Sequence, residues 1–431
     1  SKPIRRCPVT ATLDPQYRQQ LMDRFLRYVK VDTASDEASE SSPTTEKQKD
    51  LSRMLAEELK ELGCDDAEMN EWGYVIATIP GNLPPDHPAA DKVPTIGLIA
   101  HVDTYFGTSG KDVKPQIIES YDGSDIRLNE EQVLKTEDNP NLEKCVGHTV
   151  IHTDGTTLLG ADDKAGVAEI LTAIEWLKDN PDFKHGPIRI AFTTDEEVGR
   201  GTEHFDVEAF GADYAYTLDG SDLGEIEDET FSADTANVTV VGHDVHPGYA
   251  KDKLVNALRV TAAIIEGIDE RWLPETTEKR EPYLHPYIAS GDVTKVNLKV
   301  LVRAFSVEKL QQREDHLKEV IAKVEERFPK AKITVEFEES YRNMSYKIRE
   351  DPKVLDYALE AVERIGVTPI RQAIRGGTDG ARLSYMGLLT PNVWAGGQNF
   401  HSVREWVSLE WMGAAVMATL EILKVWVEKS E

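Results

Sequence analysis

Cysteine is close to absent from this chain: Cys7, Cys64 and Cys145 stand far apart among 431 residues, and no two form a CxxC pair. That argues against a disulfide-stapled secreted domain. Long apolar runs are missing as well. None approaches the roughly 20 residues that span a bilayer. "IRRC" near the start lacks the apolar segment of a secretory signal, so a cytoplasmic protein is expected. Positive charge is scarce, with 49 Lys and Arg against 77 Asp and Glu and a net charge of −28. Phosphates would be repelled, which argues against nucleic acid and anionic membrane surfaces as partners. Such a balance suits a protein that holds cations among carboxylates. Several catalytic signatures are lacking too: no GxGxxG after a strand, no Walker loop, no HExxH and no GxSxG elbow. Nor is there an internal repeat, a heptad run or a low-complexity tract.

What remains is enough for two domains, since 40% of the residues are hydrophobic. Pro15 to Val31 and Thr45 to Leu62 have helical periodicity. "WGYVIATIP", "TIGLIAHVD", "HGPIRIAFTTDEE" and "ADYAYTLDG" read as strands, and "LLGADDKAGVAEILTAIEWLKDN" as a polar turn opening a helix. Strands alternating with helices predict an α/β fold with a mostly parallel sheet covered on both faces. After about Phe231 the order becomes β-α-β-β-α-β once a strand near Tyr287 is counted, which predicts an inserted ferredoxin-like α+β domain. The expected boundaries are 1–230 and 338–431 for the large domain and 231–337 for the insert. Ser408 to Lys429 reads as a closing helix.

Chemistry collects where apolar strands stop or helices begin. His101 and Asp103 end one strand, Asp162 opens a helix, Glu196 and Glu197 follow another strand, Asp219 ends a third, and His401 lies late in the chain. In an open α/β sheet, ligands gather beyond the carboxyl ends of the strands, so these side chains point to one crevice. Each has a plain alternative. Asp162 could complement a helix dipole, Glu196-Glu197 could be a solvated turn, Asp219-Gly220 a common turn pair and His401 a loop histidine. Their joint occurrence in a chain with 11 histidines favours a metal site. Two imidazoles with several carboxylates suit zinc, or manganese or cobalt.

"AHVDT", "GADDKAG", "TDEEVG", "TLDG", "GGTDGA" and the late Asn-Phe-His resemble the dizinc metallopeptidase family that includes glutamate carboxypeptidase and aminoacylase. "LLGADDKAGVAEI" and "IRGGTDGA" match its peptidase T branch, and the similarity runs from "VDTASDE" to "EWVSLE". The resemblance implies one metal on His101 and Asp219, a second on Glu197 and His401, and Asp162 bridging both. It implies that Asp103 orients His101 and that Glu196 is the general base. Two metals roughly 3.5–4 Å apart would share a hydroxide that attacks the peptide carbonyl. His246 in "VHPGYA" matches the family's lid histidine and would donate to the oxyanion. Arg303 and Arg375 match its anchors for a substrate carboxylate.

The expected activity is therefore release of the N-terminal residue from short peptides, tripeptides foremost. A related dipeptidase, carboxypeptidase or N-acyl-amino-acid deacylase is the alternative within the same chemistry, and a non-catalytic metal-containing binding protein the alternative outside it. Lids of this family often pair, which makes a homodimer through the lid a candidate assembly. Two departures stand out. Ala304 follows Arg303 where the branch has Asp, and "GGQNFH" replaces an aromatic-rich approach to the last histidine.

Overall fold

The computed structural model describes residues 12–431, so "IRRC" and Cys7 lie outside the described residues. Two compact units divide the chain: one runs through Asp228 and resumes at Tyr346–Gln372 and Arg382–Glu431, and the other is Glu229–Ser345 with Ala373–Ala381. The second unit is wider than the 231–337 expected from sequence. Its last strand, Lys332–Tyr341, continues past 337, and 373–381 returns to it.

The first unit is built on an eight-stranded sheet. Across it run Glu68–Met69, Val75–Ile79, Ile188–Thr193, Ile96–His101, Tyr214–Gly220, Asn392–Trp394, Glu225–Thr230 and Ile370–Ile374. The four strands from Ile188–Thr193 to Asn392–Trp394 are mutually parallel. Antiparallel strands flank them, Val75–Ile79 on one side and Glu225–Thr230 on the other, as is common at the edges of parallel sheets. Ile96–His101 is buried at all six positions, the state that its continuous apolar run predicts. Burying each of Ile96, Leu98 and Ile99 contributes about 1.5–3 kcal/mol.

Helices cover both faces. Ala161–Asp179 packs on the strands that carry His101 and Asp219, with Pro15–Val29 and Leu409–Lys429 against its back. Its approach is close: a Cβ on Gly166 would stand 2.0 Å from the Leu218 carbonyl oxygen, so only glycine fits there. The opposite face carries Ile99, Ala191 and Ala215, packed with Phe205, Phe210, Leu383 and Leu388. A smaller antiparallel sheet, Gly397–Gln398, Trp406–Ser408, Val150–His152 and Gln116–Ile118, supports the late loop that carries His401. No helix among the described residues is long and apolar enough to cross a membrane.

The second unit is the expected β-α-β-β-α-β layer. Its antiparallel sheet has the order Tyr283–Gly291, Lys295–Ala304, Ser232–Val241, Lys332–Tyr341. Helices Ala257–Gly267 and Val307–Arg327 bury one face of it around Val238, Val260, Val300 and Leu317.

Candidate metal centre

Parallel strands end together, and the polar residues that follow them meet there. His101 is the last residue of its strand and is 2% exposed. Its Nδ1 lies 2.9 Å from the Asp103 carbonyl oxygen and 3.2 Å from the Asp103 carboxylate. Nδ1 therefore carries the donated proton, and Nε2 is the atom turned to the cluster. Nε2 stands 3.0 Å from Asp162 Oδ1, 3.4 Å from Asp219 Oδ1 and 3.6 Å from Glu196 Oε2.

Asp162 reaches the cluster because the chain does not yet follow the helix there: its φ and ψ are −87° and 98°. Its other oxygen, Oδ2, lies 3.1 Å from His401 Nε2, which is in turn 2.9 Å from Glu197 Oε2. Two groups of potential ligands result, His101–Asp162–Asp219 and Asp162–Glu197–His401, with Asp162 common to both. A further overlapping group joins His101 to Glu196 and Glu197. His401 sits at a positive φ of 67°. Its ring stacks on Tyr105 with centroids 4.1 Å apart, and its carbonyl accepts from Thr108 Oγ1 at 2.7 Å.

Asp103 does more than hold His101. It is fully buried, and its two oxygens accept the backbone N–H groups of Glu196 and Glu197 at 3.1 and 3.0 Å. One carboxylate thus sets both the imidazole and the adjacent glutamates. Further supports have no local signature in the sequence. Asp195, left-handed at φ 63° and buried, accepts from the Thr44 N–H and hydroxyl and from Gln48 Nε2, while Gln48 Oε1 accepts the Asp195 N–H. Glu405, 1% exposed, accepts the N–H groups of Leu159 and Gly160 at 2.7 Å each and of Asp162 at 3.1 Å. Its only sequence hint is an acid directly ahead of a fully buried strand.

The electrostatics describe a cluster short of positive charge. Burial opposes the charged form of His101, but Asp219 and Glu196, with hydrogen bonds to Asp103 and Asp162, push its pKa well above the usual imidazole value. Burial raises Asp162 too, yet the hydrogen bonds from His101 and His401 prevail and hold it well below the ordinary carboxylate range. Glu197 is driven well up by burial, then by Asp162 and Glu196. Asp219 rises to about 7, chiefly through burial. Carboxylates this crowded, facing two imidazoles and no thiolate, form a donor set that divalent cations of the zinc type would satisfy.

Over residues 147–425 the sequence matches the profile of peptidase family M20/M25/M40. It is 46% identical over 416 residues to peptidase T of Geobacillus thermodenitrificans, covering 96% of this chain and all of that protein. The chain belongs to this peptidase family, in its peptidase T branch. Solved structures of similar fold include an aminopeptidase PepT from Bacillus cereus, with 24% identity and a TM-score of 0.72. That match covers 95% of this chain and 98% of the other. A tripeptidase from Staphylococcus aureus has 22% identity and a TM-score of 0.74, covering 97% of this chain and all of that one.

The other predicted residues of this peptidase lie in the second unit. His246 Nδ1 accepts the Gly248 N–H at 3.0 Å, which leaves the proton of a neutral ring on Nε2. Arg303 gives Nη1 to the carbonyls of Asp234 and Val302 and lies over the Tyr341 ring. Its Nε and Nη2 make no hydrogen bond to the described residues, a free edge of the kind that grips a carboxylate. Arg375 is more committed. It donates to the carbonyls of Lys279 and Glu281 and to Thr277 Oγ1, and it packs on Phe231 and Tyr283. Those contacts tie down the Pro- and aromatic-rich stretch between 270 and 290.

Proposed function

We propose that this peptidase is a dizinc aminopeptidase that removes the N-terminal residue of short peptides, tripeptides foremost. The observation that carries this reading is the pair of ligand groups sharing Asp162, with Glu196 beside them on a rigid turn. His101 and Asp219 would hold one zinc ion, Glu197 and His401 the other, and Asp162 both; manganese or cobalt would suit the same donors. Bound there, the ions would polarise the scissile carbonyl and acidify the attacking water.

Glu196 takes the proton of that water and delivers it to the leaving amine. Asp103 keeps Glu196 in place through its N–H and keeps His101 turned to the metal. His246 offers its Nε2 proton to the developing oxyanion. Arg303 receives the terminal carboxylate of the substrate through its free edge, which limits peptide length; Arg375 assists by fixing the neighbouring loop. The names of the relatives support the substrate reading, one structure being called an aminopeptidase and another a tripeptidase.

Hydrolysis of a neutral tripeptide tests the reaction. Activity should vanish on full metal removal and return with zinc, and the N-acetylated peptide should resist. Glu196→Gln should lower kcat by about 10²–10⁴ while metal binding persists. Rapid cleavage of the acetylated peptide would favour a deacylase instead. A homodimer through the lid has its support in an open sheet edge, where Tyr287 and Ile288 are 48% and 47% exposed. Solution mass measurements test it.

A further inference from the structure

The second unit contains a cleft of about 380 Å³ that the peptidase reaction does not use. It opens between the start of helix Ala257–Gly267 and the end of helix Val307–Arg327, and it is lined by Arg259, Arg327, Lys330, Asp252, Val255 and Phe328 among others. Its volume falls at the lower end of the range for small-molecule sites, roughly 300–1,000 Å³.

The cleft brings together charged side chains that do not pair with one another. With 77 acidic residues to 49 basic ones, many arginines here pair with carboxylates, Arg24, Arg280, Arg342, Arg364 and Arg371 among them, while others such as Arg313 and Arg349 rest on aromatic rings. Arg259 and Arg327 have no hydrogen-bond or ion-pair partner among the described residues; Arg327 only lies over the Phe328 ring at 4.9 Å. The Asp252 carboxylate lining the same cleft has none either, and does not pair with them. Lys330 is engaged differently, its ammonium donating to the Asp252 carbonyl at 3.0 Å and joining the two walls. Apolar surface comes from Val255 and Phe328.

We propose that this cleft binds a free α-amino acid with an apolar side chain. Two guanidinium groups suit its carboxylate, the Asp252 carboxylate suits its ammonium, and Val255 with Phe328 suit its side chain. Neither the candidate ligands nor Arg303 lines it. One wall leads directly to the reaction's lid histidine. Val255 and His243 exchange two backbone hydrogen bonds, at 2.8 and 2.9 Å, and His246 follows in the same loop. An amino acid held between Asp252 and Arg327 therefore stiffens the loop that carries His246.

L-leucine is the probe, added to the metal-loaded enzyme, with amide hydrogen exchange locating the site. Residues 250–258 and 327–331 should gain protection, with half-saturation on the order of millimolar. The Arg259→Ala/Arg327→Ala variant removes two exposed, unpartnered side chains and should fold as the parent does, which its melting temperature checks. It should need at least about tenfold more leucine for the same protection. Asp252→Asn should weaken leucine but not 4-methylpentanoate, which lacks the amine. No protection of these segments, equal protection in the double variant, or equal protection by inorganic phosphate would overturn the proposal.

Discussion

Gln48 stands 147 residues before Asp195, yet its side-chain amide holds the turn that presents Glu196 and Glu197. Gln48→Leu keeps the volume of this fully buried side chain and deletes both hydrogen bonds to Asp195, along with those that Nε2 gives to the Thr44 and Thr45 hydroxyls. The bond from the Asp195 N–H, at 3.0 Å, is a neutral pair worth about 1 kcal/mol. The bond to the Asp195 carboxylate, at 2.7 Å, is worth about 1.5–3 kcal/mol. Together they give about 2.5–4 kcal/mol holding Asp195 in its left-handed conformation. If half of that is lost to the catalytic geometry, kcat falls by about tenfold, since 1.4 kcal/mol is one decade. Steady-state kinetics on a tripeptide, run beside thermal unfolding and a metal count, reads the effect. We expect a lower kcat, a KM close to that of the parent and a folded protein. Gln48→Glu adds a signature that a purely structural role would not give: it sets a second carboxylate against Asp195, so its deficit should shrink as pH falls and one of the two is protonated. A folded Gln48→Leu enzyme within about twofold of the parent kcat would refute the reasoning.

Glu405→Gln replaces one acceptor oxygen with an NH₂ group that must face either the Asp162 N–H or those of Leu159 and Gly160; metal affinity, read by chelator competition, should drop about 10–100-fold. Tyr105→Leu removes the ring stacked on His401, a contact worth about 0.5–1.5 kcal/mol. The concentration of metal giving half-maximal activity should rise about twofold to tenfold in that variant. Glu314 gives a pH test in the second unit. Burial, then the hydrogen bond and charge of Asp234, push its pKa up to about 8. A folded pKa above the unfolded value means stability is fully present below about 4.5 and falls as pH rises towards 8. Glu314→Gln should therefore gain on the parent in melting temperature between pH 5 and 8, and parallel curves would refute this.

The large parallel sheet and the β-α-β-β-α-β insert were legible because burial leaves a local trace: Ile96–Ala100 is continuously apolar, and Lys295–Ala304 alternates. The places where acidic and imidazole side chains collect were legible for the same reason, since each polar residue interrupts such a pattern. What escaped notice is held by partners far along the chain. Glu405 finds its donors 243 to 246 residues away and Asp195 finds Gln48 at 147, distances at which no periodicity operates. The His-x-Asp spacing reads as Asp103 supporting His101, but the hold of Asp103 on Glu196 and Glu197 depends on a strand neighbour that sequence does not name. The motif around Arg375 points to a substrate contact and carries no trace of its hydrogen bonds to carbonyls 94 to 96 residues earlier. The parallel strand Asn392–Trp394 has only three residues, and its antiparallel neighbour Glu225–Thr230 is polar, so neither leaves a clear pattern in the sequence.

Asp162 and His401 are 239 residues apart in the chain, and the whole second unit is threaded between them. During synthesis the acidic side chains are therefore made long before the last imidazole that faces them. Until that late loop arrives, Asp162 and Glu197 lack the imidazole that faces them, and only the completed chain brings both ligand groups together. Ion uptake should consequently report that the polypeptide is intact beyond His401: a cut in the late loop would release the ion on that side even where most of the sheet survives.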